Sequence, residues 1–287
     1  MKNNPQVAIM MPVYNGERTL PLAIKSLQAQ TYQNWRCYIV NDGSTDKTKE
    51  ILDAIAMEDE RFIIHHFKQN KGRPYARQKA LEICEGKYLA FLDADDFFHP
   101  TKIEKQVNVL KSNPKLGLVS CAMVSYDSEL NFISIRADFD IEELFFKIGN
   151  DFNLPRTPSM VYLDRAKQIG YNLKLKYAQD TDFFTRYIHE GYYANISEGL
   201  YFYSEYESVT KIKTIKTNFY VLQLYSSYFK YAPAYVIKSN IKQLVKVSVK
   251  ILLYPFVSAE FYLNKRGKML NSEMKTECKN LLEEILK

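Results

Sequence analysis

Three carboxylates close a short apolar run at Tyr88-Leu-Ala-Phe-Leu-Asp-Ala-Asp-Asp96, and they set the first candidate chemistry of this chain. Asp93, Asp95 and Asp96 repel one another unless a cation lies between them, and a divalent metal with oxygen ligands that also holds a diphosphate meets that need. An isolated Asp-x-Asp can equally be an acidic turn capping the next helix, so the segments upstream decide. Pro12-Val-Tyr-Asn-Gly-Glu17 carries Tyr14, whose ring can lie against a flat base, and Asn41-Asp-Gly-Ser-Thr-Asp46 carries Asp42, which can accept a hydrogen bond from a base N–H. Gly43 permits a tight turn there. Each segment alone is ordinary turn chemistry; their common placement is what carries weight.

The elements that must provide this placement alternate. Val7–Val13 predicts a strand, residues 17–30 a helix with Leu20, Ala23, Ile24 and Leu27 on one face, and Trp35–Val40 a strand. A helix follows to about Ala56, capped by Ser44, Thr45 or Asp46, then a strand over 62–67, a helix over 74–84 with Pro74 in its first turn, and a strand over 87–92. Strand and helix in this rhythm predict an α/β fold with a parallel, right-handed, doubly wound sheet, whose strands deliver their C-terminal ends to one crevice. All three polar segments lie at such ends, and the helix after the first turns its amides toward the ligand. Further on, 100–111 predicts a helix, 116–125 a strand and 130–135 its antiparallel neighbour. Residues 141–148, 164–170 and 181–190 predict helices, the last with Phe183, Phe184, Tyr187 and Ile188 on its apolar face.

With 287 residues, 46% hydrophobic and 25% charged, the chain has the composition of a folded globular protein, not of a disordered one. Its four cysteines, at 37, 84, 121 and 278, have neither disulfide-framework nor metal-finger spacing, which predicts reduced thiols in a cytosolic protein. The apolar run at Val7–Val13 is short and broken by Pro12, as in a buried strand and unlike a signal peptide. The net charge of +6 is uneven: residues 211–287 hold 14 Lys/Arg against 5 Glu, a net of +9 that leaves −3 for residues 1–210.

Pro12-Val-Tyr-Asn15, Asn41-Asp-Gly-Ser-Thr-Asp46, Asn70-Lys-Gly-Arg-Pro-Tyr-Ala-Arg77 and Phe91-Leu-Asp-Ala-Asp-Asp96 occur in the order and spacing of glycosyltransferase family 2, which the chain resembles from about residue 5 to about residue 210. The resemblance implies a GT-A fold, with a nucleotide-sugar half over residues 1–125 and an acceptor half over 126–210. It further implies a nucleotide-sugar donor, most often a UDP-sugar, a divalent Mg²⁺ or Mn²⁺, inversion at the anomeric carbon, and no nucleic-acid partner. Carried over by residue, Pro12 and Tyr14 line the base pocket, Asp42 takes the uracil N3–H, Arg77 positions the nucleotide, and Gly72 lets its loop approach closely. Asp93 contacts the ribose or the metal's water shell, Ala94 lies against the donor, and Asp95 is the direct metal ligand. Asp96 supports the site or caps the next helix, and Glu17 favours the dipole of the helix it begins.

An inverting transfer also needs a base beside the acceptor hydroxyl. Lys176-Tyr-Ala-Gln-Asp-Thr-Asp-Phe-Phe184 resembles the family's Glu-Asp motif, with Asp180 on the catalytic aspartate, Gln179 replacing the glutamate, and Asp182 structural; Thr157–Tyr162 and Ile169–Asn172 resemble the strand and loop before it. Helix N-capping is the other reading of these two aspartates. The chain departs from the family in having Ser204 and Tyr206 where Arg and then His are common, and Gln78 where Asn is usual. A metal would then rest on Asp95, the diphosphate and water. His65, His66, His99 and His189 are expected to be structural.

Beyond residue 210 the resemblance fades. Lys238, Lys242, Lys246 and Lys250 recur at helical spacing beside Ile241, Leu244, Val245, Ile251, Leu252 and Leu253, with Tyr254, Phe256, Phe261 and Tyr262 after them. Such a segment can lie on anionic lipid, or pack on the catalytic domain with a solvated lysine face; lysines interrupt it too often for a membrane span. The expected partners are therefore a nucleotide-sugar, a glycan or lipid-linked sugar acceptor of bacterial surface polysaccharide synthesis, and an anionic membrane surface. The expected place is the cytoplasm, peripheral at the inner face of the plasma membrane. The alternatives are an inactive sugar- or nucleotide-binding homologue, or a nucleotidyltransferase, although Pro12-Val-Tyr-Asn15 lacks the glycine-rich basic loop a triphosphate requires.

Overall fold

The computed structural model describes residues 5–205, 211–253 and 267–287. Its first half runs β1 (Val7–Val13), α1 (Leu20–Gln28), β2 (Trp35–Asn41), α2 (Thr48–Glu58), β3 (Phe62–His66), α3 (Arg73–Ile83) and β4 (Tyr88–Phe91). Side chains alternate along these strands, so each strand feeds two cores. Val7, Ile9, Met11 and Val13 of β1 join Cys37 and Ile39 of β2 and Tyr88 and Ala90 of β4 on one face. Ala8, Met10, Tyr38, Val40, Leu89 and Phe91 occupy the other. Burial on both faces is why these strands read as continuous apolar runs.

The second half runs β5 (Phe97–Phe98), α4 (Lys102–Ser112), β6 (Leu116–Tyr126), β7 (Phe132–Arg136), β8 (Ile141–Phe146), β9 (Met160–Tyr162), α5 (Leu163–Ile169), α6 (Gln179–Ile188) and β10 (Gly191–Ser204). After it come α7 (Lys211–Ser227), α8 (Pro233–Leu253), β11 (Lys268–Met269) and α9 (Ser272–Leu286). The strands form one sheet in the order β11-β7-β6-β9-β4-β1-β2-β3, with β10 paired to β6, β5 and β8. Pairing is parallel through β3, β2, β1 and β4, and becomes antiparallel where β9 enters between β4 and β6. The parallel set thus delivers the ends of β1, β2 and β4 to one edge of the molecule. α1, α2 and α4 cover one face, while α3, α5 and α6 cover the other.

Residues 141–148 do not form the expected helix. Residues 141–146 are strand β8, antiparallel to β10, and Phe145 meets Tyr192 edge-on across the pair. The open edge of β10 supplies backbone partners that outweigh the helical propensity of Glu-Glu-Leu. Past the sheet, Leu224 of α7, Tyr228 just after it and Val236 of α8 are buried in the core that holds Phe183 and Phe184, whereas Leu282 and Ile285 of α9 pack with Phe132, Ile135 and Phe202. Among the described residues no helix is long and apolar enough to cross a membrane. Tyr206, Tyr254, Phe256, Phe261 and Tyr262, and the side chains of Lys250, Ile251 and Leu253, lie outside what is described.

Candidate active site

The chain emerges from β4 directly into the carboxylate cluster, where Asp93, Asp95 and Asp96 each place an oxygen within 4.8 Å of the others. Their environments differ. Asp96 is buried, and its oxygens accept hydrogen bonds from the Tyr201 hydroxyl (2.5 Å) and the Ser204 amide (2.8 Å), both from β10. Burial, and then the nearby Asp95 and Asp93, push its pKa well above the usual carboxylate range. Asp96 is thus a support that ties the end of β4 to β10. It does not cap α4, at whose start His99 Nδ1 instead accepts from the Thr101 amide. Asp93 and Asp95 are only half-buried. Two hard oxygen donors beside a third, anchored carboxylate suit Mg²⁺ or Mn²⁺, which bind through few carboxylates and keep water and phosphate as remaining ligands.

Arg77, 7% exposed on α3, joins this cluster to α6. Its guanidinium donates to Asp93 (3.2 Å), to Asp180 (2.7 Å) and to Gln179 Oε1 (3.2 Å). Burial works against its charge, but Asp180 and Asp93 outweigh burial and raise its pKa. For Asp180 burial again comes first, and it raises the carboxyl above its ordinary value despite the opposing Arg77. Arg77 engages Oδ2 of Asp180, and among the described residues Oδ1 has no hydrogen-bond partner. Gln179 stiffens the helix entry by donating Nε2 to the carbonyls of Leu175 and Lys176, so it keeps a structural role without the charge of a glutamate. Asp182 is structural as expected: it accepts from Arg186, which also donates to the carbonyls of Ile169 and Gly170. Gln78 is structural too, accepting the Tyr171 amide at 2.9 Å.

The first two loops are laced to each other. Asn15, at φ 51°, accepts the Thr45 amide on Oδ1, while its own amide donates to Ser44 Oγ. Glu17 precedes α1 and does not complement its dipole; its carboxylate accepts the Lys47 amide, and so serves the start of α2 instead. Asp42 is buried and accepts the amides of Lys71 (2.7 Å) and Gly72 (2.9 Å), fastening the loop that leads into Arg77. Gly43 has φ +66°, and a Cβ there would come within 2.4 Å of the Gln69 carbonyl carbon, so no other residue fits without moving that loop. Pro12 is half-buried, Tyr14 is 49% exposed at the edge of the crevice, and buried Ala94 faces Gly16, where a Cβ would stand 3.9 Å from its own. The cysteines are free. The hydrogen bonds of His66 to Asn41 and Asp53, and of His189 to the Ile148 amide, hold secondary structure together.

Beside Asp180 a cleft of about 360 Å³ opens between α6, residues 146–156 and α8. Thr181, Arg156, Tyr235, Lys238, Lys242 and Lys246 are among its lining. The lysine stripe therefore borders the cleft, while Ile237, Ile241, Leu244, Val245, Val249 and Leu252 of the same helix are exposed. Sequence reasoning did not single out Arg156 or Tyr201. Neither sits in a recognisable motif, and in the fold Leu200, Tyr201 and Phe202 are all buried.

The pattern of glycosyl transferase family 2 matches residues 8–165, and the chain belongs to this family. An uncharacterized glycosyltransferase of Haemophilus influenzae is 30% identical over 250 residues, covering 80% of this chain and 99% of that protein. TuaG of Bacillus subtilis, whose name assigns it to teichuronic acid biosynthesis, is 38% identical over 106 residues, covering 37% of this chain and 42% of its own. Among solved structures, residues 1–349 of TarS from S. aureus in complex with UDP-GlcNAc superpose with a TM-score of 0.63 at 16% identity, covering 98% of this chain and 80% of that one. The fold is GT-A.

Proposed function

We propose that the protein is an inverting glycosyltransferase that moves a sugar from a UDP-sugar to a hydroxyl of a surface polysaccharide or its lipid-linked precursor. The observation that supports this reading is the Asp93–Arg77–Asp180 bridge, in which one buried guanidinium joins the acidic cluster after β4 to a partly exposed carboxylate with one uncommitted oxygen. Pro12, Tyr14 and Asp42 are assigned to the base, with Asp42 using a lone pair left over from the Lys71 and Gly72 amides. Asp93 and Ala94 are assigned to the ribose and diphosphate side, and Arg77 holds both halves in register. Asp95, with Asp93 beside it, would hold Mg²⁺ or Mn²⁺, whose charge favours departure of the diphosphate. Asp180 Oδ1 receives the proton of the acceptor hydroxyl as the hydroxyl oxygen bonds to the anomeric carbon from the face opposite the departing diphosphate.

The UDP-GlcNAc of the TarS complex and the polymer in the name of TuaG support this choice of donor and pathway. The inactive homologue is the rival reading, and it is tested directly. Incubating the protein with each common nucleotide-sugar plus Mg²⁺ or Mn²⁺ should release UDP from one UDP-sugar well above the others. Nucleotide binding without release from any donor would favour the inactive homologue.

The protein is further assigned to the cytoplasmic face of the membrane as a peripheral protein, held by the exposed Ile/Leu/Val stripe of α8 with its lysines alongside. Each fully buried aliphatic side chain contributes roughly 1.5–3 kcal/mol. The triple substitution Ile241→Gln, Leu244→Gln, Leu252→Gln should lower co-sedimentation with anionic vesicles by more than about tenfold. Equal sedimentation of the two proteins would remove the membrane from this account.

A further inference from the structure

The cleft beside Asp180 has a charge that donor chemistry does not use. Arg156, Lys238, Lys242 and Lys246 line it, against one acidic residue in the lining, Asp151. Arg156 is partly buried under the aromatic residues around it, with its guanidinium 5.7 Å from the Phe152 ring centroid. Its Nε is fully buried and has no hydrogen-bond partner, and among the described residues no carboxylate forms an ion pair with it. The ionisable groups near enough to act on its charge are Asp180, Tyr225, Tyr228 and Tyr235. Of these only Asp180 is normally charged, and it is already paired with Arg77. A buried guanidinium donor left unpaired is costly, and a planar fork of N–H donors is what phosphate oxygens match best. The three lysines extend this preference along α8. At 1.5 Å rise per residue they set one ammonium about every 6 Å over about 12 Å of helix, beside the acceptor carboxylate and not on the side of the metal cluster.

We propose that this cleft is an acceptor subsite for a phosphate ester, with Arg156 gripping one phosphate and Lys238, Lys242 and Lys246 following the anionic chain away from Asp180. The inference rests on Asp180 marking the acceptor side. It names the acceptor class as a phosphate-bearing glycan or the phosphate headgroup of a lipid-linked sugar; the shared chemistry is the phosphate ester. A carboxylate-bearing sugar would satisfy Arg156 but leave most of the lysine charge unmatched.

Calorimetric titrations of the full chain, saturated with UDP and Mn²⁺ to block the donor site, test this with defined probes. The probes are a glycerol phosphate trimer, monomeric dioctanoyl phosphatidylglycerol, methyl glucuronoside and methyl glucoside. At least one phosphate probe should bind at least about tenfold more tightly than both sugars, and more weakly as salt rises. Preference for the trimer assigns the phosphate to the glycan, and preference for the lipid assigns it to the carrier. Arg156→Gln, and separately the triple change Lys238→Gln, Lys242→Gln, Lys246→Gln on an exposed helix face, should each weaken that probe about tenfold or more. Lys279→Gln on α9 should leave it unchanged. Undiminished phosphate binding in both the Arg156 and the lysine variants, or no preference over the two sugars, overturns the proposal. Absence of UDP binding by the unsubstituted protein is a separate result, which counts against the donor assignment and leaves the phosphate titrations, run without UDP, to decide the cleft.

Discussion

Asp95→Ala is expected to lower metal-dependent donor turnover by at least about 10²-fold, because a fixed cation at the leaving diphosphate is among the largest single contributions to such a reaction. Asp93 alone does not restore the site: its Oδ1 is already held by Arg77, and Asp96 has both oxygens turned to Tyr201 and Ser204 in a buried position. The Ser204 position offers no imidazole either, so little is left to hold the ion. Thermal unfolding of the variant should stay close to that of the parent, since Asp95 is only half-buried. Chelator-insensitive turnover, or near-normal rates for the variant with saturating Mn²⁺, would refute the metal assignment.

The second large effect is at Asp180. Asp180→Asn keeps the shape but cannot take a proton, so kcat should fall by roughly 10²–10⁴ with little change in UDP-sugar affinity. The pH profile gives an independent reading. Burial raises this carboxyl above its ordinary value, and only the deprotonated form accepts the acceptor proton. Activity should therefore be full at higher pH and fall as pH drops through that raised pKa, an acid limb displaced upward from the usual carboxylate range. The asparagine variant should lack this limb. If donor affinity collapses while the limb persists, Asp180 serves the donor through Arg77, and the base lies elsewhere.

Much of this architecture was legible in the chain itself. Val7–Val13 appears with the predicted bounds, β2 and β3 differ from expectation by a residue at one end, and three of the four family motifs fall at the ends of β1, β2 and β4 as the alternation required, while Asn70–Arg77 runs into α3. These features are local. A strand buried on both faces has to be apolar throughout, a turn at φ +66° needs glycine at 43, and helix spacing is written in the apolar positions of 20–27. The cysteines, whose spacing predicts reduced thiols, are free.

What depended on distant partners was not legible. Residues 141–148 carry a helical composition, yet 141–146 pair with an edge of β10 formed some fifty residues later. Asp42 looked like a free acceptor, but its oxygens are claimed by amides 29 and 30 residues away. Arg77 looked like a nucleotide contact, and only the folded chain brings Asp180, 103 residues on, within 2.7 Å of it. The lysines of α8 had a spacing that settled which face they share but not what that face meets. Helical periodicity fixes only relative direction, so packing of Leu224, Tyr228 and Val236 against the α6 core decided that they border the cleft. Arg156 had no sequence signal, because a partly buried guanidinium whose Nε lacks a hydrogen-bond partner is defined by what does not surround it, and only tertiary structure holds that information.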